Sequence, residues 1–222
     1  MTDYEREKQL AAEAAAELAS DGMRVGLGTG STVAYFLRAL AARSLDVACV
    51  ATSQRTEEEA RALGLRVERF ERLDRLDIAV DGADQIAPSG WLVKGGGGAH
   101  TREKIVATAA DRFVVIASSN KLVEALEPPV PLELLAFGVQ ATLRALGEAS
   151  LRDWPPSPDG GLIADYAGSV EEPAVLSRRL AETPGVIEHG LFAPELTTDI
   201  LVTRNGAVSD LGLGRPRSRT SA

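Results

Sequence analysis

MRVGLGTGSTVAYFLRALAAR, residues 23–43, contains the change of hydrophobic period that decides the fold. Its first six residues form a short apolar run that reads as a buried strand. From Thr29 onward the apolar positions recur at helical spacing, so TGSTVAYFLRALAAR reads as the helix that follows. The same alternation continues on both sides. Residues 3–20 read as a helix, with Leu10, Ala14 and Leu18 at helical spacing and Asp21-Gly22 ending the run. DVACVAT (46–52), LRVERF (65–70), LDIAVDGAD (76–84), WLVKGGGG (91–98) and RFVVIASS (112–119) read as strands. QRTEEEARALG (54–64) and AHTREKIVATAAD (99–111) read as helices. Strands alternating with helices, and strands with few polar positions, predict a mainly parallel, doubly wound α/β sheet buried on both faces.

The pattern changes near Pro128-Pro129. PVPLELLAF (129–137) is strand-like but interrupted by Pro131, and GVQATLRALGE (138–148) reads as a helix. After the turn-rich RDWPPSPDGG (152–161) come a strand at GLIADYAG, a helix at VEEPAVLSRRLAET, and strands at GVIEHGLF and DILVTRNG. This predicts a small α+β, ferredoxin-like lid or oligomerisation subdomain over 129–205. The α/β domain then takes 1–128 with about 206–215, and 216–222 form a polar tail expected to be disordered.

Composition narrows the function. Lys plus Arg total 24 against 32 Asp plus Glu, a net charge of −8 over 222 residues. With a pI near 4.9, a nucleic-acid or anionic-membrane partner is not expected, because both require a basic face. A phosphorylated small molecule remains compatible, since one local positive pocket can sit on an acidic protein. Cys49 is the only cysteine and His100 and His189 the only histidines, so neither a thiolate-rich nor a multi-histidine metal centre is expected. The N-terminus MTDYEREKQL lacks the apolar core of a signal peptide, and no run reaches the about 18 apolar residues of a membrane span. A soluble cytoplasmic protein is expected.

Several segments could carry chemistry. Gly26-Leu27-Gly28-Thr29-Gly30-Ser31-Thr32 joins a strand to a helix, where glycines allow close approach and N–H groups attract anions. The competing reading is an ordinary turn with Ser31 as a helix cap. A dinucleotide fingerprint fits badly: Ser31 occupies the third glycine position, and no acidic residue follows Ala51-Thr52-Ser53. Those last residues could line a pocket or cap the next helix. Asp81-Gly82-Ala83-Asp84 ends a strand on the rim where parallel sheets bind ligands, although Asp-Gly is also common turn chemistry. Lys94 precedes four glycines, Gly95 to Gly98, which could form a concave nest of N–H groups before a helix. Glu103 falls in the first turn of that helix, where the helix dipole alone favours an acid. His100 is either a helix-start residue or catalytic. Lys121 follows a further strand end on the same rim. Together these suit a small phosphorylated polyol.

The collinear segments GLGTGSTVAYF (26–36), ATSQRTEEEA (51–60), DIAVDGADQI (77–86), KGGGGAHTREKIVA (94–107), SNKLV (119–123), PLELLAFG (131–138) and TPGVIEHGLF (183–192) closely resemble the type A ribose-5-phosphate isomerase family. They span most of residues 8–195. The resemblance implies interconversion of ribose 5-phosphate and ribulose 5-phosphate through an enediolate, in the non-oxidative pentose phosphate pathway, with no metal or organic cofactor. It implies a homodimer or homotetramer. Glu103 is implied as the base that moves the proton; Asp81, Asp84 and Lys94 as groups that hold and protonate the sugar oxygens. Gly82, Ala83, Gly95, Gly96 and Gly97 are implied to line the substrate. Thr29, Gly30, Ser31 and Thr32 are implied as the phosphate loop, with Lys121 and Lys8 as its cations. Gln85 replaces the family's usual Glu after DGAD, Ser118 replaces an acidic residue, and Asn120 replaces a Ser. Residues 152–168 follow the family hairpin only loosely. The alternatives are a non-catalytic sugar-phosphate sensor, which would need the phosphate loop but not Glu103 or Lys94, and another sugar-phosphate isomerase on a related fold.

Overall fold

The computed structural model describes residues 3–212. The expected tail at 216–222, with residues 213–215, lies outside them. In chain order the elements begin with α1 (Asp3–Ala16), β1 (Arg24–Leu27), α2 (Ser31–Ala42), β2 (Ala48–Ala51), α3 (Gln54–Ala62) and β3 (Arg66–Val67). They continue with β4 (Leu76–Asp81), β5 (Gln85–Ile86), β6 (Leu92–Val93), α4 (His100–Ala109) and β7 (Ala110–Ser118). Next come β8 (Val130–Leu134), α5 (Val139–Leu146), β9 (Ala149–Leu151), β10 (Leu162–Tyr166) and α6 (Pro173–Glu182). The last are β11 (Val186–His189), β12 (Leu191–Phe192), β13 (Asp199–Arg204) and β14 (Ala207–Asp210). Among the described residues no helix is long and apolar enough to cross a membrane.

The chain forms two compact units. The first holds, of the described residues, 3–82, Glu103–Lys121 and 194–212. Its sheet runs β14-β13-β7-β4-β1-β2-β3, parallel except for β14 against β13. Strand side chains alternate between faces. Val25, Leu27, Ile78, Val80, Val114 and Ile116 share one buried cluster with Ala11, Ala12 and Ala15 of α1 and Val33, Phe36, Leu37 and Leu40 of α2. Gly26 and Ala79 face the other way, toward Val106 of α4. Helices therefore cover both faces. The Cys49 thiol is fully buried in β2, and burial pushes its pKa up to about 12.

The second unit holds Ala83–Arg102 and Leu122–Ala193. Its larger sheet is antiparallel in the order β11-β8-β10-β9, from the succession β8-α5-β9-β10-α6-β11, which is ferredoxin-like. Leu132, Leu134, Ala164, Tyr166, Leu146, Leu176 and Leu180 form its core. A smaller antiparallel sheet, β12-β6-β5, completes the unit. Pro131 does not interrupt β8. Its carbonyl accepts the Gly190 N–H at 2.7 Å, so the donor it lacks falls where the pairing with β11 ends at His189.

This division differs from the one read from the sequence. The strand at 199–206 was expected in the small subdomain, but β13 extends the large parallel sheet beside β7. Asp199 and Arg112 form a bidentate pair at 2.7 and 2.8 Å across that ladder. The Arg112 guanidinium, aided by the Thr198 hydroxyl, holds the Asp199 carboxyl below its ordinary value against the opposing effect of burial. Conversely, 83–102 belongs with the smaller unit, because β5 and β6 pair with each other and with β12. LRVERF yields only the two-residue β3, followed by a 3-10 turn at Phe70–Arg72.

Gly26 sets how closely α4 lies on the sheet. A Cβ there would fall 2.5 Å from Val106 Cγ1 and 2.8 Å from Ala79 Cβ. Gly26→Ala is expected to lose about 1–3 kcal/mol of stability through overpacking, read as a lower urea midpoint at unchanged m-value. An unchanged midpoint would show that α4 can shift at no cost.

Candidate active site

In the first unit the strand ends of β1 and β4 meet through one carboxylate. Asp81 is buried, and its Oδ1 accepts the N–H groups of Gly82 at 2.7 Å and Thr29 at 3.1 Å. Only glycine fits at position 28, where a Cβ would lie 2.0 Å from the Asp81 carboxyl carbon. The Asp-Gly turn and the glycine loop, separate segments in the sequence, are thus one assembly.

A network of hydroxyls backs this loop. Thr29 Oγ1 lies 2.9 Å from Thr52 Oγ1 and donates to Ser53 Oγ at 2.9 Å. Thr56 Oγ1 donates to the Gly28 carbonyl at 2.9 Å. Ser53 also caps α3, accepting the Thr56 N–H at 3.2 Å, which is the capping reading of Ala51-Thr52-Ser53. Ser31, however, is not a helix cap. Gly30 is the N-cap of α2, at φ 133°, with no side-chain capping bond. That backbone angle is one that L side chains rarely adopt. Ser31 follows at the first helical position, with Thr32 after it, and the N–H groups there open onto the helix N-terminus.

One lysine, Lys8, reaches this terminus within the same unit. Lys8 Nζ donates to Ser31 Oγ at 3.1 Å and to Glu5 Oε1 at 2.6 Å, and Tyr35 Oη donates to Glu5 Oε2 at 2.8 Å. Lys8 and Tyr35 together hold the Glu5 carboxyl below its usual value, and Glu5 pushes the Tyr35 phenol up. Lys121 ends the 3-10 turn Ser119–Lys121 after β7. Glu7, buried on α1, accepts both the Ser119 N–H at 2.8 Å and its hydroxyl at 2.7 Å, and Ser118 Oγ donates to Asn120 Oδ1 at 2.6 Å. Adjacent residues of α1 therefore hold Lys8 against α2 and brace the turn bearing Lys121. Glu7 went unnoticed in the sequence. Its signal is an acid at helical spacing from the buried alanines Ala11 and Ala15.

Glu103 lies in the first turn of α4 and is 5% exposed. It is one turn before Val106 on the same helix face, the face packed on Gly26. The sequence placed it correctly on the helix, but its burial exceeds what a dipole-stabilised surface acid requires.

The remaining predicted residues lie in the second unit. Asp84 and Lys94 flank neighbouring strands: the Asp84 N–H donates to the Val93 carbonyl and the Lys94 N–H to the Gly190 carbonyl, each at 2.8 Å. Lys94 is buried at 3% exposure, with its ammonium 5.3 Å from the Phe192 ring centre. Ala83 precedes Asp84 and is half-buried. Gly95 sits at φ +99°, where a Cβ would strike the His100 ring, and Gly98 N–H closes the turn on the Gly95 carbonyl at 3.0 Å. His100 is thus a buried helix-start residue packed under the glycine loop. The loop is not a simple open nest: the Gly96 N–H is given to Asp84 Oδ2 at 2.7 Å, while Gly97 faces open space. Arg152, which no sequence pattern marked, donates to the carbonyls of Gly95 and Gly96 at 3.3 and 3.1 Å.

The sequence model of the family described as Ribose 5-phosphate isomerase A (phosphoriboisomerase A) matches residues 48–206. A curated ribose-5-phosphate isomerase A from Rhodopseudomonas palustris (strain BisB5) is 40% identical over 224 aligned positions, covering 92% of this chain and 97% of the relative. The crystal structure of ribose 5-phosphate isomerase A from Neisseria gonorrhoeae superposes with a TM-score of 0.90 at 30% identity, covering 98% of this chain and all of that one. A structure of a D-ribose-5-phosphate isomerase in complex with phospho-erythronic acid gives a TM-score of 0.89 at 32% identity, covering 95% and 100%. Matched by the family model over residues 48–206 and by relatives and solved structures along almost its whole length, this chain belongs to the ribose 5-phosphate isomerase A family.

Proposed function

We propose that this protein interconverts D-ribose 5-phosphate and D-ribulose 5-phosphate through an enediolate. The observation that carries the reading is a carboxylate buried in the first turn of α4, Glu103, in a chain of this family. An aldose and its ketose differ by the position of one carbon-bound proton and by which oxygen is the carbonyl. Glu103 takes the proton from carbon 2 of the open-chain aldose. The electron pair moves onto the carbonyl oxygen, and the acquired proton returns at carbon 1. One side chain serves both steps because the two carbons are adjacent.

Charge develops on oxygen, so fixed donors that face it carry the larger share of catalysis. Lys94 is such a donor: its burial and its backbone bond to Gly190 fix where the ammonium starts, and low polarity around it strengthens its field. Asp81 and Asp84, each anchored by backbone N–H groups, hold the sugar hydroxyls and pass the oxygen-bound protons, with Gly82, Ala83, Gly95, Gly96 and Gly97 lining the substrate. The phosphate binds the N–H groups of Gly30, Ser31 and Thr32 with Lys8 and Lys121, far from the reacting carbons, so its binding energy orients the chain. The phospho-erythronic acid held by a relative supports a phosphorylated four- or five-carbon ligand. We infer that the protein works in the cytoplasm as a homodimer or homotetramer. Phe137, 88% exposed beside the exposed Leu135, supports association of copies.

Three measurements test these assignments. Glu103→Gln should lower kcat by about 10²–10⁴-fold or more while far-UV circular dichroism and ribose 5-phosphate binding persist. Turnover at the parent rate would remove Glu103 from its role. Lys94→Met, which keeps the packing of the stem, should lower kcat by roughly 10²–10³-fold and change KM far less. A rise in KM alone would reduce Lys94 to a binding group. Lys121→Ala and Ser31→Ala should mainly raise KM for ribose 5-phosphate, and unphosphorylated ribose should react poorly. Equal kcat/KM for ribose and its phosphate would contradict the phosphate site.

A further inference from the structure

The hairpin at 152–168, which follows the family pattern only loosely, binds the glycine loop through one side chain. Arg152 directly follows β9. Its Nε and Nη2 form a two-pronged pair with Asp165 of β10 at 2.8 and 2.6 Å, and its guanidinium lies 4.9 Å from the Trp154 ring centre. This fixes the plane of the fork, leaving Nη1 to donate to both the Gly95 and Gly96 carbonyls. The Arg152 side chain is 14% exposed, so these charge-assisted bonds are only weakly screened.

The peptide joining Gly95 to Gly96 is therefore gripped at both ends. Its carbonyl accepts from Arg152 and from the Gly98 N–H, and its N–H donates to Asp84 Oδ2. In a trans peptide these two groups point in opposite directions. A cation on the carbonyl thus both orients the N–H toward Asp84 and polarises it into a stronger donor. The next peptide is held the same way at the Gly96 carbonyl, which directs the Gly97 N–H away from Arg152. Glycine backbones reorient readily, so four in a row do not hold such an arrangement unaided.

We propose that Arg152, oriented by Asp165, is a positioning residue that sets the glycine loop and through it the Asp84 carboxylate for the isomerase reaction. The proposal rests on the isomerase reading above. Neither Arg152 nor Asp165 is assigned contact with substrate. Arg152 acts through a backbone that a lysine cannot grip in the same way, because an ammonium lacks the planar fork.

The test is a double-mutant cycle in the full-length protein, with kcat and KM for ribose 5-phosphate as readouts. Arg152→Met should lower kcat by roughly 10²-fold, the scale of a misplacement of about 1 Å. Arg152→Lys should fall between it and the parent, and Asp165→Asn should lose part of the same activity. In an Asp84→Asn background, Arg152→Met should cost less than about threefold further, because the two residues act as one unit. Losses that multiply independently, or Arg152→Met at parental kcat and KM, would overturn the proposal. Should Arg152→Met fail to fold, the same cycle with Arg152→Lys decides it by the same criterion. The two readings fail separately: a parent protein without ribose 5-phosphate turnover sinks the isomerase assignment, whereas an active parent with additive variants sinks only the role of Arg152.

Discussion

One oxygen of Asp81 accepts the N–H groups of both Thr29 and Gly82, and the glycine loop of the first unit is built around that contact. Two parallel strands end side by side, and their exposed N–H groups would otherwise need water or a neighbouring side chain. A buried carboxylate satisfies them only if nothing stands between the strand ends. The missing Cβ of Gly28 meets that condition. The hydroxyls of Thr29, Thr52, Ser53 and Thr56 then brace the loop leading into α2 from behind. For the phosphate binding proposed at this loop, such bracing matters because backbone N–H groups hold an anion well only when they already converge.

The second unit solves the same problem with the opposite charge. Its glycine loop carries carbonyls that need a donor, and Arg152 supplies it, while Asp84 takes the N–H on the far side of the same peptide. Both loops carry glycine where a Cβ would strike a neighbouring side chain, and both are braced by a polar side chain from another element. Lys94 and Asp84 are anchored differently, through their own backbone N–H groups just outside neighbouring strands of a three-stranded sheet.

Much of this was legible in the chain. Periodicity located the strands and helices of the large sheet, and the collinear motifs from residue 26 to 192 pointed to the family that the comparisons then established. Errors fell where pairing partners are distant. DILVTR is a strand by any local measure, yet whether it joins the α/β sheet or the smaller one depends on β7, some 80 residues earlier, and on the Arg112–Asp199 pair. Ser31 reads as a helix cap beside a glycine, but Gly30 holds the cap position and Ser31 turns to Lys8. No sequence pattern marked Glu7 or Arg152, because the groups they hold lie 112 and 57 residues away.

Local chemistry is written in short spans: glycine where φ is positive, hydroxyls before a helix, an acid in its first turn, alternation of apolar residues along a strand. The amino-acid order alone therefore determined most of the elements and the alternating architecture. Which charge braces which loop was decided only in three dimensions. A hydrogen bond depends on distance and angle between atoms, and two residues far apart in sequence acquire those only when the intervening chain has folded.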